Sequence, residues 1–190
     1  MSKILIVSGN EKSAAMLVGL VKENYPGCSV SMSVSGSEAR RAATSTDFDL
    51  VVINSPLTDE YGTDLAQMIC TDTNSGCIVI VKSGNGDAVW EHLMDYGALV
   101  MERPLSRQAF SHTLKFAEAS RRRMLGLQTE NLKLAKKLEE IRMINRAKFA
   151  LMQYLGFTEQ QAHRYLEKQA MDMRCTKLEI AKKVIKMYEV

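Results

Sequence analysis

The sequence predicts an α/β domain with a doubly wound parallel sheet, followed by one long helix and a small C-terminal three-helix bundle. Three patterns carry that expectation. Short apolar runs alternate with amphipathic stretches through the N-terminal half. A stretch from Phe110 to Arg146 contains no Pro and a single Gly, Gly126. Two capping-box motifs then punctuate the tail.

The apolar runs at residues 4–7, 30–34, 50–53, 77–81 and 98–101 have the length of buried strands. Between them, residues 14–23, 37–43, 64–70 and 88–96, and the segment from Ser106 onward, place apolar residues at helical spacing. Five βα units result, and the economical topology is a flavodoxin-like sheet of order 2-1-3-4-5. Such folds carry their chemistry at the C-terminal ends of the strands.

Composition limits the alternatives. Of 190 residues, 46% are hydrophobic and 25% charged, as in a soluble globular protein, and no window resembles a membrane span. The opening MSKILIV reads as a first strand and not as a leader, so a cytoplasmic protein is expected. Cys28, Cys70, Cys77 and Cys175 are scattered without a CxxC pair, which argues against a zinc or redox motif. Charge is divided along the chain. Residues 1–120 carry 9 Lys and Arg against 14 Asp and Glu, net −5, whereas residues 121–190 carry 16 against 8, net +8, which suits approach to a polyanion.

The stretch DLVVINSPLTDEYG at 49–62 resembles the segment of response-regulator receiver domains in which an Asp ends the third strand and a Gly follows eight residues later. Asn54 stands at that phosphoacceptor position, and Ser8 and Gly9 stand where receivers carry two metal-holding acids. Gly97-Ala98 and Arg103-Pro104 are similar to the family's Gly-Ala and Lys-Pro, with Arg103 replacing the lysine that contacts the phosphoryl group. The Thr or Ser ending the fourth strand corresponds to Lys82, or to Ser83 in the neighbouring register. An amide is a poor nucleophile. Ser8 and Gly9 bring no charge to a divalent cation, and Lys82 would bring a fixed positive charge to the former metal pocket. The resemblance therefore implies a pseudo-receiver over residues 1–119, without metal or cofactor. The SGNGD loop at 83–87 lacks P-loop spacing and reads as a turn, and Asp59, Glu60 and Asp64 read as helix N-terminal acids instead of metal ligands.

Along the expected long helix, Met124, Leu127, Asn131, Leu134, Leu138, Ile141 and Asn145 follow spacings of three and four. That is a heptad seam with Asn at two a positions, which favours a parallel, in-register homodimer through a connector at 120–145. Arg121-Arg122-Arg123 reads as a solvated charge run.

The tail at 146–190 divides at Gly156, at the box TEQQ (158–161) and at the box TKLE (176–179). Leu151, Leu155, Leu166, Leu178, Ala181 and Val184 are its expected core, with Ile185 on the same side of the third helix. Ala162 and Ala170 are expected at close helix contacts, and Tyr154 and Tyr165 at core edges. The strings RAKFALM (146–152), AHRYL (162–166), QAM (169–171) and KLEIA (177–181) together resemble the ANTAR domain of transcription antiterminators of the amidase-operon type. One departure is Phe149, where the family often has Gly. The resemblance implies a non-enzymatic dimer that binds two neighbouring RNA hairpins in nascent transcripts and prevents a terminator from forming. The expected RNA contacts are Lys148 first, then Arg146, Arg164, Lys168, Arg174 and Lys177, with Gln153 and His163 as additions. A DNA-binding response regulator using the tail as a helix-turn-helix is a weaker alternative, since no base-reading recognition helix stands out. A protein-interaction module is compatible with the first reading. A receiver without phosphorylation needs another input, and a ligand-sensing regulatory partner would supply it.

Overall fold

The computed structural model describes residues 2–188. The chain forms two compact units, Met1–Gly126 and Leu127–Val190.

In the first unit, β1 (Lys3–Ser8), β2 (Ser29–Ser33), β3 (Leu50–Asn54), β4 (Gly76–Val81) and β5 (Leu99–Glu102) form one parallel sheet of order β2-β1-β3-β4-β5. The helices α1 (Glu11–Asn24), α2 (Gly36–Ser45), α3 (Thr63–Asp72), α4 (Gly86–Leu93) and the start of α5 (Arg107–Leu155) lie between and after the strands. Because strand side chains alternate, β1 feeds two cores. Ile4 and Ile6 pack with Leu17 and Val21 of α1 and Phe110 and Leu114 of α5. Leu5 and Val7 face the opposite layer, with Ala39 of α2, Leu65 and Ile69 of α3, and Val89 and Leu93 of α4.

Two strands differ from expectation. β2 ends at Ser33, and most of its side chains are exposed, because it is an edge strand with only β1 as neighbour. β5 begins at Leu99 and is half-buried through Met101, for the same reason. The helical pattern at 88–96 splits into α4 and a short 3-10 turn, Met94–Tyr96.

Long-range polar links fix the loops. Asp59 accepts from the Gly36 and Ser37 amides at 2.7 and 3.0 Å, so it caps α2 and not the helix that follows it in sequence. Beside it, Arg40 forms a two-bonded pair with Glu60, at 2.7 and 2.8 Å. The Gly36 amide, then that of Ser37, lower the Asp59 pKa to about 2 from 3.8. A lowered carboxyl pKa gives stability that is present above pH 3.8 and lost as pH falls through about 2. Asp59→Asn is therefore expected to flatten the fall in melting temperature across that window. Parallel pH profiles for the two proteins would contradict the assignment.

Arg121 anchors α5 to the N-terminal edge of the sheet. Its guanidinium lies 2.9 Å from the Asp49 carboxylate, and its Nε donates to the Asn74 carbonyl at 2.7 Å. Nearby, Arg122 pairs with Glu118, which also accepts from the Tyr25 hydroxyl at 2.8 Å. Burial, reinforced by Glu118, pushes the Tyr25 pKa up to about 12. Arg121 is thus a structural tie within this unit, whereas Arg122 and Arg123 are exposed, as a solvated run would be.

The second unit consists of the rest of α5, α6 (Glu159–Asp172) and α7 (Lys177–Tyr188). Gly156, at φ +66°, takes the left-handed conformation that ends α5. Both capping boxes form. Thr158 and Gln161 exchange side-chain and backbone bonds, as do Thr176 and Glu179. The core contains Ala147, Ala150, Leu151, Ala162, Leu166, Ala170, Ile180, Ala181 and Val184. Five of these nine are Ala, so the helices approach closely around a thin core.

Two expectations for this core are corrected. Leu178 is only half-buried and Ile180 takes its place, because the buried stripe of α7 runs through 180, 181 and 184. Leu155 is exposed at the last turn before Gly156. Tyr154 and Tyr165 lie partly exposed at the edge of this core, Tyr154 stacking on Tyr188 with centroids 5.4 Å apart and Tyr165 meeting Phe157 edge-on at 5.9 Å.

Candidate functional site

At the C-terminal edge of the sheet, the parallel register sets Ser8 level with Asn54. Asn54 is 6% exposed, and its Nδ2 donates to Ser8 Oγ at 3.0 Å. Ser8 Oγ in turn donates to the Asn10 carbonyl at 3.1 Å, while the Asn10 side chain caps α1. The corner is a closed set of neutral hydrogen bonds. Gly9 leaves little space beside it, since an added Cβ would lie 3.0 Å from Thr58 Cγ2 and 3.2 Å from the Thr58 amide.

Arg103 reaches this edge from β5 but is engaged with main chain. Its guanidinium donates to the Ser55 and Val81 carbonyls. Lys82 and Ser83 follow β4 and are exposed. In the 83–87 loop, the Gly84 and Gly86 amides donate to the Glu102 carboxylate at 3.0 and 2.7 Å. Asn54→Asp alone is therefore expected not to yield a stable acyl phosphate with a small-molecule phosphodonor, because the metal-holding carboxylates are still missing. Stoichiometric labelling of that variant, read by intact mass, would overturn this account.

The cationic candidates lie in the second unit. Lys148 has a side chain only 15% exposed and pairs with Glu159 at 3.0 Å. That pair lies between two hollows. One, of about 350 Å³, is lined by Lys148, Glu159, Gln160, His163 and Arg164, and so brings Lys148 and Arg164 together. The other, of about 200 Å³, is lined by Asn145, Lys148, Phe149, Met152 and Glu159. Arg174 and Lys177 line a third, of about 480 Å³. Lys177 donates to Glu167 at 2.8 Å, and His163 lies 3.2 Å from the same carboxylate. The Lys177 bond, chiefly, holds the Glu167 carboxyl below its ordinary pKa. Arg146 and Lys168 are exposed and line none of the three hollows. Gln153 is exposed. Glu159 and Gln160 were not signalled by the sequence, since their place beside Lys148 depends on the turn at Gly156.

The seam residues are open to solvent in the single chain. Met124, Leu127, Leu134, Leu138 and Ile141 are between 47% and 58% exposed, and Asn131 and Asn145 are exposed. Among the described residues, no helix is long and apolar enough to cross a membrane.

Comparison with known proteins places both units. Over 151 residues the chain is 28% identical to the Transcriptional regulatory protein PdtaR of Mycobacterium tuberculosis, spanning 79% of this chain and 73% of that one. Solved structures share the fold of the first unit. A response regulator receiver domain protein from Clostridium thermocellum aligns with TM-score 0.57 and 22% identity, over 66% of this chain and 99% of that one. A CheY-like receiver domain protein from Methanospirillum hungatei aligns with TM-score 0.57 and 15% identity, over 65% of this chain and 98% of that one. Residues 132–185 match the model of the ANTAR domain. The chain is therefore a receiver-fold protein that carries an ANTAR domain.

Proposed function

We propose that this protein is a transcription antitermination regulator that binds hairpin-loop RNA in nascent transcripts through its ANTAR domain, as a dimer, with a receiver domain that is not regulated by phosphorylation. The observation that carries the reading is the grouping of Lys148, His163 and Arg164 around one hollow inside the ANTAR-matched segment. RNA loops expose phosphates and unstacked bases, and a rigid helical surface with cations and hydrogen-bonding side chains suits both. The +8 balance of residues 121–190 supports a polyanionic partner.

The exposed seam supports dimerisation, which presents two ANTAR domains to two hairpins. The neutral corner around Asn54 supports control by something other than a phosphoryl group, for which a ligand-sensing regulatory protein is the fitting input. The relative's name, a transcriptional regulatory protein, agrees with this class of role. A cytoplasmic location follows from a nascent-transcript target.

Binding of the full chain to a two-hairpin RNA and to duplex DNA of equal charge, over a range of salt, tests the reading. The expected result is preference for the RNA. Lys148→Ala should weaken binding about tenfold and reduce the salt slope by about 1, as for loss of one phosphate contact. Equal, salt-sensitive binding to both polymers would reduce the tail to a nonspecific basic surface. Preference for the duplex would favour a DNA-binding regulator.

A further inference from the structure

Phe149 follows Lys148 on α5 and is 68% exposed. It lines the 200 Å³ hollow together with Asn145 one turn before it and Met152 one turn after. A flat aromatic ring, a side-chain amide, a polarisable thioether and the Lys148–Glu159 ion pair thus share one open hollow. The tail's core does not use the ring, which lies outside the buried set around Leu151 and Leu166.

We infer that Phe149 is a stacking platform for one unpaired base of the RNA loop, beside Met152, with Lys148 on the adjoining phosphate. The inference rests on the RNA-binding reading above and adds to it a subsite for a nucleobase. Stacking on an aromatic face is the chief way proteins hold splayed-out bases, and it tolerates any base because each has a π face. The hollow is smaller than the roughly 300–1,000 Å³ of a drug-sized site, which suits a single base.

The test uses the full chain, a two-hairpin RNA, and the same RNA made abasic at successive loop positions. Phe149→Ala is expected to weaken binding to the intact RNA about tenfold while leaving the salt slope unchanged, because the ring carries no charge. Phe149→Trp should restore affinity. One abasic position should weaken the wild type by a similar factor and leave Phe149→Ala no weaker than before. Sedimentation and thermal melting of Phe149→Ala should match the wild type.

Unchanged RNA affinity in Phe149→Ala, with the wild type binding and Lys148→Ala impaired, would overturn the stacking role while leaving RNA binding intact. A monomeric Phe149→Ala would overturn it as well, by placing the ring in the contact between copies. Absence of RNA preference in the wild type would instead remove the reading on which the inference rests.

Discussion

The double variant Leu134→Asp, Leu138→Asp is expected to be a monomer at micromolar concentration, with its fold intact. Both leucines are more than half exposed in the single chain and lie one turn apart on α5, between Asn131 and Asn145. In a parallel pair each would be covered by the other copy, and covering a Leu stabilises by about 1.5–3 kcal/mol. The variant removes that gain from four side chains per dimer and sets four carboxylates along the seam. Because neither residue belongs to a core within the chain, the single-chain melting transition should hardly move. The functional effect is larger than the structural one. Two domains held together bind two hairpins with an avidity about 10²- to 10⁴-fold above one alone. Affinity for a two-hairpin RNA should fall by such a factor, whereas affinity for one isolated hairpin should not. Sedimentation equilibrium together with both binding curves checks this. A dimeric double variant would move the contact away from this seam.

The second large effect is expected from Leu166→Ala. Leu166 is 1% exposed at the centre of the three-helix core, against Leu151, Ile180 and Val184. Leu→Ala in a packed core costs about 2–5 kcal/mol, from lost transfer energy and the cavity left behind. A core with five alanines among nine buried residues has few large groups to collapse into that cavity. Small units are also marginal to begin with. The expected outcome is selective unfolding of residues 147–188, with loss of RNA binding, while the sheet unit stays folded. Amide hydrogen exchange resolved along the chain reads this directly. Protection should vanish in α6 and α7 and persist in β1, β3 and β4. Equal loss in both units, or none in either, would show that Leu166 does not hold this unit separately.

Much of the fold was legible because its signals are local. Five apolar runs with amphipathic stretches between them specify a parallel sheet, and the two boxes at Thr158 and Thr176 open α6 and α7 where the motifs stand. Burial phase was harder to read. Leu178, Ala181, Val184 and Ile185 make a plausible helical stripe, yet the stripe that packs is Ile180, Ala181 and Val184, a rotation fixed by how α7 meets its neighbours. Likewise an apolar run does not disclose whether its strand is central or at an edge, which is why β2 is more exposed than its composition suggested. Polar roles diverged most where partners lie far apart in sequence. Arg121 belongs to a run of three arginines, and only the folded chain brings it to Asp49 and Asn74. Asp59 lies just before α3, yet it caps α2. In the tail, the ANTAR resemblance singled out Lys148, but its cover by Glu159 depends on the tight return of the chain through Gly156.

Glu102 gives the loop after β4 a resident tenant. Backbone amides that converge on one point invite any passing oxyanion, and a cell is full of free phosphate and phosphorylated metabolites. Here the guest is supplied by the chain itself, with Gly84 and Gly86 both turned to one oxygen of a side chain on the neighbouring strand. A guest on the chain itself meets the amides without a bimolecular encounter. The loop's two converging amides are thereby occupied from within the chain.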